Sequence, residues 1–426
     1  MAAFPVSGGV PCGRNKLRPS RLKGLAKRTV PWYNHAMRKF VQAVRQAIPC
    51  PAEYPEHRLF CLDLLRGIDM FMLVALHAIL VAAGKIFGFP DWWSYHLNHP
   101  AWVGFSFWDM IMPLFIFMCG AAIPLAIGRR LDEGASRAAV WRHVIGRVIL
   151  LWFFGMLVQG RLATLDAMKI SPYNNTLQTI AAGYLVAVIV LHFKSRIVRI
   201  AAPAVLALAY TLLLHFCGDY TETGNYANIF EMKVLKMLVP EGSAALSIHN
   251  YTWFLTTFMF GAMTLCGMLA TDILRANWSP SKRAGVLFAY GGGLLALGFA
   301  VEPWIPCIKH IFTLSFTAQA MGYSVIALAV LYVLTDILRI RRGTGVLLLY
   351  GQFALTAYMV SHFFRPAIKG IVDPITQGIP HLLGKEHSAW MTLITAVATA
   401  IVLTAVLAIK RSLSAKKISG GVSENV

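Results

Sequence analysis

Long apolar runs recur along this chain and limit what it can fold into. Ten of them, each about 18–25 residues long, are separated by polar connectors. Such a run crosses a bilayer as a helix, because backbone N–H and C=O groups must be bonded internally in lipid. The runs also lack the alternation of barrel strands. The sequence therefore predicts an all-α, polytopic membrane helical bundle with about 10 transmembrane helices. The predicted spans are residues 64–88, 104–128, 144–163, 175–193, 199–217, 251–272, 285–303, 313–336, 345–365 and 388–410.

The charge distribution orients this bundle and excludes one class of partner. The formal net charge is +20, which in a soluble protein would suggest nucleic acid. Here the Lys and Arg residues are concentrated in alternate connectors and in both tails, as the positive-inside rule requires of cytoplasmic segments. We therefore predict no nucleic-acid partner and place both termini in the cytoplasm. The predicted organisation is a basic, partly disordered tail (1–57), a membrane domain (58–412) and a short cytoplasmic tail (413–426).

One stretch, residues 98–124, carries the strongest candidates for chemistry. It reads NHPAWVGFSFWDMIMPLFIFMCGAAIP. His99 precedes an apolar run and Asp109 lies inside its start, on the outer side under the assigned topology. Ionisable groups at the edge of a span are costly, so they are functional candidates. Their bland interpretation is a loop histidine and an interfacial helix cap.

Further polar side chains are expected near the same outer face. We predict that these side chains contact a substrate. They belong to His77, Trp102, Glu302, His310 and His362. Because the histidines and acids come from distant segments without metal-ligand spacing, no metal site is predicted. The seven cysteines form no CxxC pair, which argues against a zinc site or a disulfide framework.

Several motifs resemble a known enzyme family. They are RLFCLDLLRGIDMFMLVALH, NHPAWVGFSFWDMIMPLFIFMCGAAIPLAI, TLQTIAAGYL, KHIFTLSFTAQAMG and GQFALTAYMVSHFF, in that order along the chain. Together they resemble the heparan-α-glucosaminide N-acetyltransferase family and its bacterial relatives, over roughly residues 58–410. The second motif is the most specific, since His99, Trp102, Gly104, Asp109 and Pro113 all fall at matching offsets.

The resemblance implies an acyltransferase in a bacterial inner membrane. Such an enzyme takes an acetyl group from cytoplasmic acetyl-CoA and transfers it to an amino sugar or glycan at the outer face. It also implies that His99 is catalytic and that Asp109 shares its site. Three departures matter: His77 replaces an asparagine of the animal enzymes, Thr179 replaces a usual arginine, and a basic tail replaces a luminal domain. Specificity for heparan is therefore not carried over.

Acetyl transfer to an amine needs a base or an acetyl carrier, and imidazole can be either near neutral pH. We expect Asp109 to orient His99, and we leave the base and the carrier open for His99. Trp indole groups or His77 are candidates to stabilise the oxyanion. The residues predicted to contact acetyl-CoA are Arg66, Arg147 and Gln178.

Two other classes of function remain open on sequence grounds. A transporter of amino sugars or related saccharides would also line a helical bundle with polar groups. A non-catalytic membrane subunit of an envelope-assembly complex is the second alternative. The small-residue run at 291–293 is the candidate face for a homodimer.

Overall fold

The computed structural model describes residues 58–422 except 194, 247–250, 377 and 379–386, and before them residues 42, 44, 47–51 and 54. This part of the chain is helical or irregular and contains no β-strand, as the sequence predicted. In chain order, the helices are α1 (Phe60–Phe87), α2 (Asp91–Leu97), α3 (Phe107–Asp132), α4 (Arg137–Val158), α5 (Thr176–Leu191), α6 (Arg196–Cys217), α7 (Tyr226–Leu238), α8 (Thr257–Arg275), α9 (Pro280–Val301), α10 (Leu314–Ile337), α11 (Gly345–Gln352), α12 (Ala354–Thr376) and α13 (His387–Val422).

Most of the predicted spans correspond to helices that can cross a membrane. Eight helices of the described chain are long and apolar enough: α1, α3, α4, α6, α8, α9, α10 and α13. A polytopic helical bundle is thereby confirmed, and the chain is an integral, multi-pass membrane protein.

Two predicted spans differ from simple crossings. The span predicted at 175–193 is α5, whose 16 residues reach about 24 Å and fall short of a typical hydrocarbon core of about 30 Å. The span predicted at 345–365 is the pair α11 and α12, bent by 84° at Phe353. Hydropathy averages over a window, so it detects neither a short buried helix nor a change of direction.

Helices α3 and α8 form the centre of the bundle and are the most buried of its spans. A Cβ atom on Gly120 would lie 1.8 Å from the carbonyl oxygen of Thr264, and one on Gly267 would lie 1.9 Å from that of Phe117. These glycines let the two backbones touch, which is the usual way membrane helices associate closely. Since α3 begins beside Asp109, this contact also fixes the position of the candidate site.

A cluster of salt bridges lies at the N-terminal end of α1. Asp63 lies 2.6 Å from Arg58 and 3.2 Å from Arg66, and it also accepts a hydrogen bond from the Tyr54 hydroxyl. The i,i+3 pairing of Asp63 with Arg66 expected from the sequence is thus present.

The glycine run at 291–293 divides between two environments. Gly291 packs against Gly322 and Ile326 of α10, whereas a Cβ atom on Gly292 or Gly293 would meet open space. Only the latter two are therefore available to a second copy, and the homodimer stays a prediction. The predicted tail 1–57 lies largely outside the described residues, whereas α13 continues as a helix to Val422, through most of the predicted tail 413–426. The domain boundaries stay predictions as well.

Candidate active site

His99 and Asp109 are in contact at the N-terminal end of α3. His99 Nδ1 lies 2.6 Å from Asp109 Oδ1, and the other carboxylate oxygen accepts a hydrogen bond from Ser106 N–H at 2.9 Å. The Asp109 side chain is fully buried, whereas that of His99 is 43% exposed. The two side chains predicted to be catalytic are thus in direct contact, with the carboxylate inside and the imidazole facing outward.

Lys309, which is not among the site residues predicted from the sequence, contacts both members of this pair. Its Nζ lies 3.1 Å from Asp109 Oδ1, and 3.1 and 3.4 Å from the two ring nitrogens of His99. Burial lowers the pKa of the Lys309 amine below its ordinary value, and the carboxylate of Asp109 opposes that shift. Asp109 and Lys309 therefore form a buried ion pair, and His99 lies on the exposed side of that pair. When Nδ1–H donates to Asp109, the lone pair of Nε2 is the one left for chemistry.

A short backbone pairing brings the two connectors together. Val103 and Ile308 form an antiparallel bridge, and Gly104 N–H donates to the Cys307 carbonyl at 2.8 Å. Gly104 has φ of +134°, a conformation that favours glycine, and a Cβ atom there would lie 3.0 Å from the Tyr95 hydroxyl. The match of this glycine to the family motif therefore has a structural reason, since it lets His99 reach Lys309.

His310 lies beside this triad in a stack of rings. Its ring centroid is 5.2 Å from that of Trp102 and 4.6 Å from that of Tyr251. Burial and the adjacent Lys309 lower the pKa of His310 to about 4, so its ring is neutral at pH 7. The indole N–H of Trp102 donates to the Tyr220 carbonyl at 2.8 Å. Trp102 and His310 therefore pack together next to the triad without lining the cavity beside His99, and that indole group is not free for an oxyanion.

The other three residues predicted to contact a substrate do not lie together in the structure. His77 Nε2 donates to the Leu97 carbonyl at 2.9 Å, so this nitrogen too is already used. Glu302 accepts a hydrogen bond from Gln319 at 2.7 Å and does not line the cavity beside His99. His362 does line that cavity, where its ring stacks on Tyr358. The structure thus places His362, but not Glu302, with the candidate catalytic residues.

The cavity beside His99, here called the outer cavity, has a volume of about 600 Å³. No aspartate or glutamate is found among the described residues that line it. Its wall carries aromatic rings, amides and two cations. The polar and aromatic lining residues are His99, Trp108, Phe115, Gln159, Asn174, Asn175, Thr176, Tyr251, Trp253, Lys309, Tyr358, Ser361, His362 and Arg365. Arg365 is held there by the Val74 carbonyl at 3.1 Å, which a π-helical turn, Met72–Leu76, presents.

Two further cavities adjoin the outer cavity in turn, each sharing lining residues with the one before it. The middle cavity, about 370 Å³, shares Leu73, Phe115, Thr176 and Tyr358 with the outer cavity. The inner cavity, about 430 Å³, shares Arg66 and Ala122 with the middle cavity. Its charged lining residues are Arg58, Asp63, Arg66, Arg129 and Arg275. The three cavities form a series from an arginine-rich end to His99.

Two of the three residues predicted to contact the cofactor line this series of cavities, and the third does not. Arg66 and Arg147 both line the middle cavity. Gln178 is buried and lines none of the three cavities: its oxygen accepts from Asn174 N–H and the Asn175 amide, both at 2.9 Å, and its nitrogen donates to the Pro172 carbonyl at 2.6 Å. Gln178 therefore holds the connector that supplies Asn174 and Asn175 to the outer cavity.

Glu231 of α7 holds the segment that carries Trp253, a lining residue of the outer cavity. One carboxylate oxygen accepts from Trp253 N–H at 3.0 Å and from Phe254 N–H at 2.9 Å. The other oxygen is buried with no hydrogen-bond partner. Burial raises the pKa of Glu231 to about 7, because the charged form loses its hydration.

Glu231 should therefore give the fold a measurable pH dependence. Its pKa in the folded state exceeds the ordinary 4.5, so the native protein binds the proton more tightly than the unfolded chain. This stabilisation is complete below the unfolded pKa and is lost as pH rises to about 7. We expect Glu231→Gln, which is neutral throughout, to unfold at a higher temperature than the wild type at about pH 8, with the difference shrinking toward about pH 5.

Thermal unfolding of both proteins in detergent across this pH range provides the measurement. Glu222→Gln is a suitable control, since that glutamate lies exposed in the connector between α6 and α7. An unchanged pH dependence in Glu231→Gln would contradict the assignment.

Comparisons with known proteins agree with the motif resemblance. Residues 58–295, more than half of the chain, match a family model described as a domain of unknown function, DUF5009. The chain is also 27% identical over 120 residues to heparan-alpha-glucosaminide N-acetyltransferase of Mus musculus, covering 26% of this chain and 17% of the relative. The Homo sapiens protein of the same name is 26% identical over 101 residues, covering 24% and 14%. The matched segments span less than a fifth of the length of these relatives, and the resemblance inferred from the motifs is confirmed at that level.

Proposed function

The chain belongs to the DUF5009 family, and we propose that it is a membrane acetyltransferase. In this proposal it moves an acetyl group from acetyl-CoA on the cytoplasmic side to the amine of an amino sugar or glycan in the outer cavity. The observation that carries the proposal is the contact of His99, Asp109 and Lys309 at the end of a series of cavities through the bundle. The likeness to two N-acetyltransferases supports it.

The lining of the outer cavity suits a sugar acceptor. Aromatic rings such as Trp108 and Trp253 offer flat apolar surfaces, while Asn174, Asn175 and Gln159 supply amide donors and acceptors for hydroxyl groups. A pocket with apolar walls and a few directed polar groups is typical of small-molecule sites. We place the acceptor here, with its amine at His99.

The inner cavity suits the phosphates of acetyl-CoA. Four arginines and one aspartate line it, and guanidinium groups bind phosphates through paired hydrogen bonds. The middle cavity continues with Arg66 and Arg147 into an apolar passage, which matches a thin, uncharged pantetheine arm. The arm would extend along that passage and present its thioester beside His99.

The chemistry then follows from the arrangement of the triad. His99 Nε2 takes a proton from the acceptor amine as the nitrogen attacks the thioester carbonyl, while Asp109 accepts from Nδ1–H and stabilises the imidazolium. The Lys309 ammonium, 3.4 Å from Nε2, is placed to donate to the oxyanion. Collapse of the tetrahedral species expels the CoA thiolate, which leaves with the proton. In the competing sequence, His99 Nε2 first takes the acetyl group and then passes it to the amine.

Product analysis tests this proposal. The purified protein, reconstituted in nanodiscs, is incubated with acetyl-CoA and a panel of amino sugars, and both products are measured by mass spectrometry. We expect a sugar heavier by one acetyl group and an equal amount of free CoA. The absence of both products across the panel, with folded protein confirmed, would contradict the proposal.

A saccharide transporter is the second candidate, because the series of cavities would also serve a permeation path. Uptake of labelled glucosamine into liposomes without acetyl-CoA would favour it. We also propose, from the distribution of Lys and Arg, that both termini lie in the cytoplasm, and, from the family resemblance, that the membrane is a bacterial inner membrane.

A further inference from the structure

Another cleft, which shares Arg275 with the inner cavity, lies where three helices end together. Helix α6 begins at Arg196, α8 ends at Arg275 and α9 begins at Pro280. The cleft, here called the arginine cleft, has a volume of about 780 Å³. Because all three helices are long and apolar enough to cross a membrane, their shared ends mark the level of a membrane surface.

The end of the arginine cleft nearest that surface is positively charged. Arg196, Arg199 and Arg275 line it against one acid, Asp272, so the formal balance is positive. Arg199 Nη1 lies 3.8 Å from Asp272, at the limit of an ion pair, and its Nε atom is buried without a hydrogen-bond partner. Arg275 donates to the Pro124 carbonyl at 3.0 Å. These guanidinium groups therefore keep donors for an anion.

The other end of the arginine cleft is apolar and runs into the depth of the membrane. Its lining residues are Ile200, Leu269, Ile273, Val286 and Ala289. Ala289 lies nine residues beyond Pro280, so at 1.5 Å per residue the wall extends about 13 Å along α9. Trp278 and Tyr290 line the same cleft, and Trp278 stands at the helix ends, where indole rings favour the interface.

We propose that the arginine cleft binds one anionic phospholipid of the surrounding leaflet. The phosphate lies between Arg196 and Arg199, and an acyl chain follows the apolar wall. A soluble anion would leave that wall exposed, and a zwitterionic lipid would leave the excess positive charge unmatched. The bound lipid bridges α6, α8 and α9, and α8 is the helix whose Gly267 packs on α3. Occupancy therefore stabilises the part of the bundle that holds Asp109.

Lipid titration of the intact protein in detergent tests this proposal. Native mass spectrometry measures binding of phosphatidylglycerol, phosphatidylcholine and inorganic phosphate. We expect a preference for phosphatidylglycerol, a loss of about fivefold in Arg196→Gln and about 25-fold in the double variant Arg196→Gln, Arg199→Gln. Ala289→Trp, which fills the apolar end, should also weaken phosphatidylglycerol binding. Arg142→Gln removes an exposed arginine of α4 outside the cleft and is the matched control.

The outcomes separate the sources of the anion. Equal binding of the two lipids, or an unchanged preference in Arg196→Gln, would overturn the proposal. So would inorganic phosphate that displaces the lipid and binds Ala289→Trp as well as the wild type, because the site would then recognise a free anion. Arg196→Gln alone decides the charge question if the double variant does not fold.

Discussion

Replacing His99 by alanine in the purified protein is expected to lower acetyl transfer by about 10²–10⁴-fold, the usual contribution of a positioned acid–base group. The variant should fold normally, because the His99 side chain is 43% exposed. Asp109→Asn should cause a loss of similar size, since an amide can hold neither the Nδ1–H tautomer nor the imidazolium. The measurement is the release of free CoA together with the formation of the acetylated amino sugar from acetyl-CoA and the amino sugar.

His143→Ala is the matched control for this prediction, because His143 is an exposed histidine of α4 outside the three cavities. Wild-type turnover in both His99→Ala and Asp109→Asn would exclude the mechanism. Intact-protein mass spectrometry after mixing with acetyl-CoA alone separates the two roles of His99. A carrier gains one acetyl group that His99→Ala does not gain, whereas a general base leaves both proteins unmodified.

Lys309→Met should reduce both activity and stability. The Lys309 side chain is 8% exposed and that of Asp109 is fully buried. Removing one partner of a buried ion pair typically costs about 3–5 kcal/mol, because the other charge is left uncompensated. The acetyl-transfer rate should fall as well, since an oxyanion donor is typically worth about 10²–10³-fold. Thermal unfolding and product formation are measured on the same preparation.

A double variant distinguishes electrostatic coupling from a simple loss of packing. Because Lys309→Met, Asp109→Asn removes both charges, we expect it to be less destabilised than the sum of the single variants. Lys233→Met, at an exposed lysine of α7, is the control. Additive destabilisation would show that the ion pair contributes nothing to the fold.

The sequence located His99 and Asp109 because they lie ten residues apart at the edge of one apolar run. It did not identify Lys309, which is 210 residues from His99 and meets it only through the pairing of Val103 with Ile308. A signal was present, since Lys309 is a cation inside one of the family motifs. Its neighbour His310 was predicted to contact a substrate because it is titratable, whereas in the structure its ring stacks between those of Trp102 and Tyr251.

Distances across the bundle explain the other differences. Glu302 and His362 both lie toward the predicted outer ends of spans, but only His362 lines the outer cavity. Packing against neighbouring helices decides which residues of a span face a cavity. A span that is apolar on all sides has no hydrophobic periodicity from which that face could be predicted. The 84° bend at Phe353 is likewise set by packing and carries no hydropathy signal.

The junction between the outer and middle cavities has a consequence for the membrane itself. In any membrane that maintains an ion gradient, a continuous column of water would conduct protons and dissipate stored energy. Leu73 and Phe115 line both cavities together with Thr176 and Tyr358, and apolar side chains at this position would disfavour such a column. We expect the protein to be electrically silent in a planar bilayer and leaky when Leu73 and Phe115 are both replaced by serine. The same two side chains that line the proposed path of the thioester would then insulate the membrane against ions.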